Sequence, residues 1–159
     1  MTTTVGNPPY TFIGLGGAGK KLLADVKELL EVEATFVAFD DDSMTTIEDE
    51  PLFQESSSIF LLAGLGGTFG TEQMLVLARK AKEANKTVTV CATVPFSFEG
   101  RSKTTKSLEA VKTLQQLVDS TIILHNDELF TKFGNQEPMH KVFKEGNRLL
   151  AERLQEVLA

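Results

Sequence analysis

The sequence predicts a single-domain α/β protein with a doubly wound, mostly parallel sheet. Five apolar segments have the length and composition of buried strands, and they cover residues 10–15, 34–39, 58–63, 87–94 and 120–125. Other segments repeat apolar residues at helical spacing, at about 20–31, 71–84, 102–118 and 137–158. Alternation of strands and helices favours parallel pairing, because each crossover helix returns the chain to the same end of the sheet.

The remaining segments are predicted to be a tail and loops. Residues 1–9 are expected to form a flexible N-terminal tail, and residues 10–159 one domain that ends on the last helix. We predict loops at 43–57, at 96–100 and at Asn126-Asp127. The last helix has one apolar and one charged face, which is typical of a helix packed on one side.

Composition narrows the compartment and the class of partner. The single cysteine, Cys91, lies in an apolar run and indicates a buried thiol in a reducing compartment. No apolar run reaches the roughly 20 residues of a membrane-spanning helix, and the N-terminus shows no secretory signal pattern. The formal charge of -6 argues against nucleic acid as a partner. We therefore expect a cytoplasmic protein that binds neither membrane nor nucleic acid.

Two glycine-rich loops each lie between a predicted strand and a predicted helix, at residues 14–19 and 64–70. Glycines let a backbone turn tightly and direct its N–H groups at an anion, and a helix N-terminus adds partial positive charge. Ligands of doubly wound sheets bind at the carboxyl ends of strands, where Asp40, Pro95 and Asn126 are also expected. The pair of loops predicts a phosphate site, with a purely structural turn as the alternative for each loop.

The first loop by itself is open to two nucleotide interpretations. Residues 14–19 have the pattern G-x-G-x-x-G, and Asp40 ends the next strand about 20 residues later, as in an NAD-type dinucleotide-binding domain. The same residues followed by Lys20 nearly match a P-loop, but Lys21 replaces the Ser or Thr that holds Mg²⁺. Neither pattern accounts for the second glycine loop.

Later segments resemble the FtsZ branch of the tubulin/FtsZ family. Residues 92–101 read ATVPFSFEGR and look like the family loop T-x-P-F-x-F-E-G-[KR]. Residues 118–129, VDSTIILHNDEL, are similar to V-D-[ST]-L-I-x-I-P-N-D-x-L. The stretch AGLGGTFGT at 63–71 resembles the tubulin signature A-G-M-G-G-G-T-G-T, and the first loop resembles I-G-x-G-G-x-G. These segments run in the family's order from about Phe12 to the end of the chain.

The resemblance implies a Rossmann-like domain of the FtsZ/tubulin N-terminal type, which binds GTP or GDP in a cell-division or cytoskeletal protein. Glu99 and Lys103 would contact ribose or phosphate, and Asn126, Phe143 and Asn147 the guanine. The other candidate nucleotide-binding residues are Gly16, Gly17, Ala18, Gly19, Lys20, Asp40, Gly66, Gly67, Thr68, Gly70, Thr71 and Pro95. Mg²⁺ could be held by the carboxylates at 40–42, with an acidic turn as the alternative. No catalytic residue is assigned.

Several residues depart from the family's pattern at the expected site. Thr68 and Phe69 replace Gly and Thr, and Phe69 puts a bulky ring where backbone should approach a phosphate. Glu72 replaces a glycine in what we expect to be the first helical turn, where a carboxylate would repel a phosphate. Arg148 stands where the family usually has the Asp that accepts the guanine N1 and N2 hydrogens. These changes predict weak or altered nucleotide binding.

Two family segments have no counterpart in the sequence. The γ-phosphate segment between the second and third strands is replaced by the polar stretch 43–57, and no second domain follows the last helix. We therefore expect little or no GTPase activity. An alternative function is a non-hydrolysing protein that docks on FtsZ filaments and caps them, or that self-associates through its nucleotide face. The NAD-type dinucleotide domain is a third hypothesis.

Overall fold

The computed structural model describes residues 10–39, 56–133 and 137–158. Within them, five parallel strands form one sheet in the order β2-β1-β3-β4-β5. The strands are β1 (Tyr10–Leu15), β2 (Ala34–Phe39), β3 (Ser58–Gly64), β4 (Thr87–Val94) and β5 (Ser120–His125). The helices are α1 (Gly16–Leu29), α2 (Thr68–Glu83), α3 (Arg101–Leu117), α4 (Asn126–Phe133) and α5 (Met139–Leu158), with a 3₁₀ turn at Ser97–Glu99. The predicted fold class is confirmed. The predictions for residues 1–9, for Asp40 and its two acidic neighbours, and for 43–55 lie outside the described residues.

Helices cover both faces of the sheet, because alternate side chains of the central strands are apolar in both directions. One core contains side chains of α1, α4 and α5 packed on Phe12, Phe60 and Leu62. The other contains side chains of α2 and α3 packed on Ile13 and Leu61. Strands buried on both faces read as continuous apolar runs, which is why the sequence locates them well.

The sheet changes its winding direction between β1 and β3, which are neighbours. The chain leaves β1 through α1 on one face, and it leaves β3 through α2 on the opposite face. Since the two connections diverge, a crevice opens between the carboxyl ends of these strands. Both glycine loops border this crevice.

Two helices begin earlier than the sequence predicts, and one short helix was not predicted. Helix α1 begins at Gly16 rather than Lys20, because Gly16 has a φ of +76° and turns the chain from strand directly into helix. Helix α2 begins at Thr68 rather than near Thr71, which moves Glu72 out of the first turn. The expected loop at Asn126 is the first residue of α4. Acidic residues in the first turn and an apolar face around the buried Leu129 explain this helix.

Replacing Gly19 by Ala should destabilise the fold. A Cβ atom at Gly19 would lie 2.6 Å from the carbonyl oxygen of Leu62, and backbone atoms of a central strand cannot move aside easily. We expect the free energy of unfolding to fall by about 1–3 kcal/mol in urea titrations. Gly17→Ala is the matched control, since a Cβ there meets nothing within 4 Å. Equal losses in the two variants would contradict this account of the packing.

Asp119 should make stability depend on pH. Its carboxylate accepts hydrogen bonds from Lys82 Nζ at 2.9 Å and from the Val88 amide at 2.8 Å. Partial burial raises the pKa of Asp119, but the hydrogen bonds from Lys82 and Val88 and the charge of Lys82 outweigh it and lower the pKa. The native state therefore binds this proton less readily than the unfolded state.

We expect Asp119→Asn to cost about 1 kcal/mol at pH 7. The difference should shrink as the pH falls below the unfolded pKa and through the lower native pKa, because the wild-type carboxylate then becomes neutral as well. Urea unfolding of both proteins at pH 7, 4 and 3 measures it. A difference that stays constant over this pH range would show that the charge of Asp119 contributes nothing.

Candidate functional site

A cavity of about 1090 Å³ occupies the crevice between the carboxyl ends of β1 and β3. The two glycine loops form one end of it, and the first turns of α5 form the other. Its volume slightly exceeds the roughly 300–1,000 Å³ typical of small-molecule sites. We refer to the two ends as the loop end (lined by 16–18 and 67–70) and the helix end (lined by Asp25, Phe143, Lys144 and Asn147).

The loop end is suited to an anion. Helices α1 and α2 both begin there, with Leu15 and Gly67 at the N-cap positions, and no side chain among the described residues caps either helix. Neither first turn contains an acidic residue. The first N–H groups of both helices are thus left for solvent or a ligand, and both helix dipoles place partial positive charge at this end. Lys21 also lines the cavity.

An aromatic ring narrows the loop end. Phe69, the second residue of α2, is half-buried and lines the cavity. Its Cδ2 atom lies 3.8 Å from the position that a Cβ of Gly16 would take, so the ring lies between the two loops. The hydroxyl of Thr71 accepts a hydrogen bond from the Gly66 amide at 2.9 Å and belongs to the loop's own structure. The loop end therefore combines uncapped amides with an apolar obstruction.

A polar network forms the wall at the helix end. Asp25 of α1 is only 8% exposed, and its two oxygens accept hydrogen bonds from Lys144 Nζ at 2.6 Å and Asn147 Nδ2 at 2.8 Å. The hydrogen bond to Asp25 raises the pKa of Lys144. Phe143, 45% exposed, presents its ring beside this network. A flat ring beside polar groups suits a planar heterocycle.

Asn126 lines the cavity and carries a buried polar atom without a hydrogen-bond partner. The residue is 5% exposed, and its Oδ1 has no hydrogen-bond partner among the described residues. A buried acceptor without a partner costs about 1–3 kcal/mol.

The structure brings most of the sequence-predicted site residues together. Those that line the cavity are Gly16, Gly17, Ala18, Gly67, Thr68, Gly70, Pro95, Glu99, Asn126, Phe143 and Asn147. Those that do not are Gly19, Lys20, Gly66, Thr71 and Lys103, and Asp40 lies outside the described residues.

The predicted residues that miss the cavity have other contacts. Gly19 is packed on β3, and a Cβ at Gly66 would lie 3.0 Å from Pro95 Cγ. Lys103 lies 3.9 Å from Glu99 in an ion pair. Their role in the structure is packing and pairing around the loops rather than lining the cavity.

Two residues that depart from the family's pattern lie away from the amides and the cavity, and the expected place of Glu72 in the first helical turn is wrong. Arg148 does not line the cavity, because its guanidinium pairs with Glu145 at 2.7 Å and with Glu152. Glu72 is exposed in the second turn of α2 and does not compete for the amides at its start. Asn147, one residue before Arg148, faces the cavity instead.

Sequence reasoning missed Asp25 and Lys144. The two residues are 119 positions apart, and their contact exists only because α1 and α5 pack side by side. The one available signal was a carboxylate on the face of α1 that also carries the buried Leu22 and Val26.

The residues that the structure describes include neither a membrane-spanning helix nor a cluster of metal ligands. None of the helices described is both long enough and apolar enough to span a membrane. In the described ranges, no three His, Cys, Asp or Glu side chains lie close enough together to hold a metal ion.

Comparison with known proteins assigns the family. The model of the Tubulin/FtsZ family, GTPase domain, matches residues 40–133, which is more than half of the chain. The fold is similar to an FtsZ dimer from M. jannaschii, with a TM-score of 0.79 and 21% identity, over 94% of this chain and 54% of that one. CetZ1 from Haloferax volcanii, a GDP-bound monomer, gives a TM-score of 0.72 at 19% identity, over 90% of this chain and 58% of that one.

A third similar structure is TubZ from Bacillus thuringiensis serovar israelensis, in GDP-form protofilaments. Its TM-score is 0.63 at 14% identity, over 98% of this chain and 53% of that one. The chain thus spans about half the length of the structures that it matches. With the sheet order and the two glycine loops, the family match establishes that this chain belongs to the tubulin/FtsZ family.

Proposed function

We propose that the cavity binds a guanine nucleotide, with its phosphates at the loop end and its base at the helix end. The observation that carries this proposal is the convergence of two uncapped helix N-termini on one cavity whose far wall is aromatic and polar. The amides favour an anion, and Phe143 offers a face for the base. The structure of CetZ1, which has a similar fold, is that of a GDP-bound monomer, and this supports the same class of ligand.

The narrowed loop end favours a short phosphate chain. Phe69 takes up space between the loops, and an apolar ring offers a phosphate no hydrogen bond in exchange for its water. We therefore propose that GDP binds more tightly than GTP, and that the protein has little or no GTPase activity of its own.

Isothermal titration of the purified protein with GDP, GTP, ATP and NAD tests both points. We expect GDP to bind most tightly, and ATP and NAD at least tenfold more weakly. Phe69→Thr should improve GTP affinity by about tenfold, or ~1.4 kcal/mol, because the smaller side chain frees space and adds a hydroxyl. Phe98→Thr is the matched control, since Phe98 is exposed and does not line the cavity. If neither the wild type nor Phe69→Thr binds a guanine nucleotide, the proposal fails.

A second function is favoured by exposed rings next to the cavity. Phe98 is 61% exposed and stacks on Phe96, which in turn contacts Phe143 at 5.7 Å between ring centroids. Exposed aromatic patches commonly mark protein-binding surfaces. We propose that this face docks on a filament of the FtsZ type and limits its growth. Similar folds include an FtsZ dimer and TubZ protofilaments, which supports a filament as the partner.

Co-sedimentation with an FtsZ measures the docking. Increasing amounts of the wild-type chain should reduce polymer mass, and Phe98→Ser should abolish the effect because the ring is removed from the contact surface. Leu29→Ser is a control with a similarly exposed apolar side chain, located at the far end of α1. Polymer mass and length that stay unchanged across the titration would rule out the capping role.

A further inference from the structure

Asp25 is a buried carboxylate that the glycine-loop chemistry of the site leaves unused. It belongs to the core-facing side of α1 next to Val26, yet it also lines the helix end of the cavity. Burying an ionised carboxylate is costly unless donors surround it. The buried carboxylate therefore needs hydrogen-bond donors, and two described residues donate to it.

The carboxylate of Asp25 can accept more hydrogen bonds than these two partners donate. Lys144 Nζ donates to Oδ1 and Asn147 Nδ2 donates to Oδ2. A carboxylate offers about four lone-pair positions, so one position on each oxygen is left for donors in the cavity. Two adjacent oxygens that each accept one more hydrogen bond match two neighbouring N–H groups.

The same network orients Asn147. Because its Nδ2 donates to Asp25, the remaining atom of the amide is the acceptor Oδ1, to which no described residue donates. Lys144, whose Nζ has further donors, stands on the other side of the carboxylate. The helix end thus presents one cationic donor, Lys144, and next to it a group of acceptors from Asp25 and Asn147.

We propose that Asp25 determines base specificity at this site by accepting the N1 and N2 hydrogens of a guanine-type edge. Lys144 donates to the O6 oxygen of that edge, and Asn147 Oδ1 adds a further acceptor for the amino group. Adenine presents an acceptor at N1, which faces the carboxylate oxygens without a hydrogen bond. The inference rests on the proposed nucleotide site. It places the base-selecting carboxylate on α1 instead of position 148, where Arg148 pairs with Glu145 and Glu152 away from the cavity.

Asp25→Asn is the direct test. The amide replaces one acceptor by a donor, so the guanine amino or N1 hydrogen loses its partner, whereas xanthine carries an oxygen at C2 that the amide can meet. We expect GDP affinity to fall at least tenfold and xanthosine diphosphate affinity to rise, so that the order of the two ligands reverses. Arg148→Gln is the matched control and should leave the ratio of the two affinities unchanged. Titration calorimetry measures all of these, with circular dichroism to check that each variant is folded.

The wild-type protein gives a second test that does not depend on the folding of a variant. Inosine diphosphate lacks only the N2 amino group, and we expect it to bind about tenfold more weakly than GDP. Equal affinity for GDP and inosine diphosphate overturns the inference, as does an Asp25→Asn protein that still prefers GDP over xanthosine diphosphate. Both outcomes leave the proposed nucleotide site standing. A wild-type protein that binds no nucleotide overturns the proposed site and this inference together.

Discussion

The opposite winding of the chain after β1 and after β3 is the constraint on which the rest of the structure depends. These strands are neighbours at the centre of the sheet, and their helices α1 and α2 leave toward opposite faces. The divergence opens the crevice and points two helix N-termini into it. Every other feature of the cavity is an addition to this geometry: the ring of Phe69 at the loop end, and the polar wall that α5 contributes opposite.

Close backbone packing around that crevice explains much of the glycine pattern. Gly19 lies against the carbonyl of Leu62, and Gly66 combines a φ of +103° with contact to Pro95. Neither lines the cavity. The glycine-rich loops of this chain therefore meet two requirements at once, close approach of α1 to β3 and access to the helix amides. A motif alone does not separate the two, since both need a residue without a Cβ.

The two ends of the cavity differ in the chemical groups that line them. At the loop end, backbone amides favour an anion, while Phe69 limits the space for it. At the helix end, a buried carboxylate is held by a lysine and an amide. Such a buried network is stable only when each polar group has its hydrogen-bond partners, so any group left without a partner destabilises the protein. The cavity thus combines a restricted loop end with a polar helix end.

The sequence by itself determined the fold class, the strands and the two glycine loops that border the cavity, because apolar strands and strand–glycine–helix junctions are local patterns. The family resemblance also placed Phe69, Asn126, Phe143 and Asn147 at the expected site, and all four line the cavity. It could not show that α1 begins within its glycine loop, or that Arg148 turns away to Glu145 while Asn147 faces inward. Only the tertiary structure decided the pairing of Asp25 with Lys144, because these residues are 119 positions apart, on two helices whose packing no local pattern encodes.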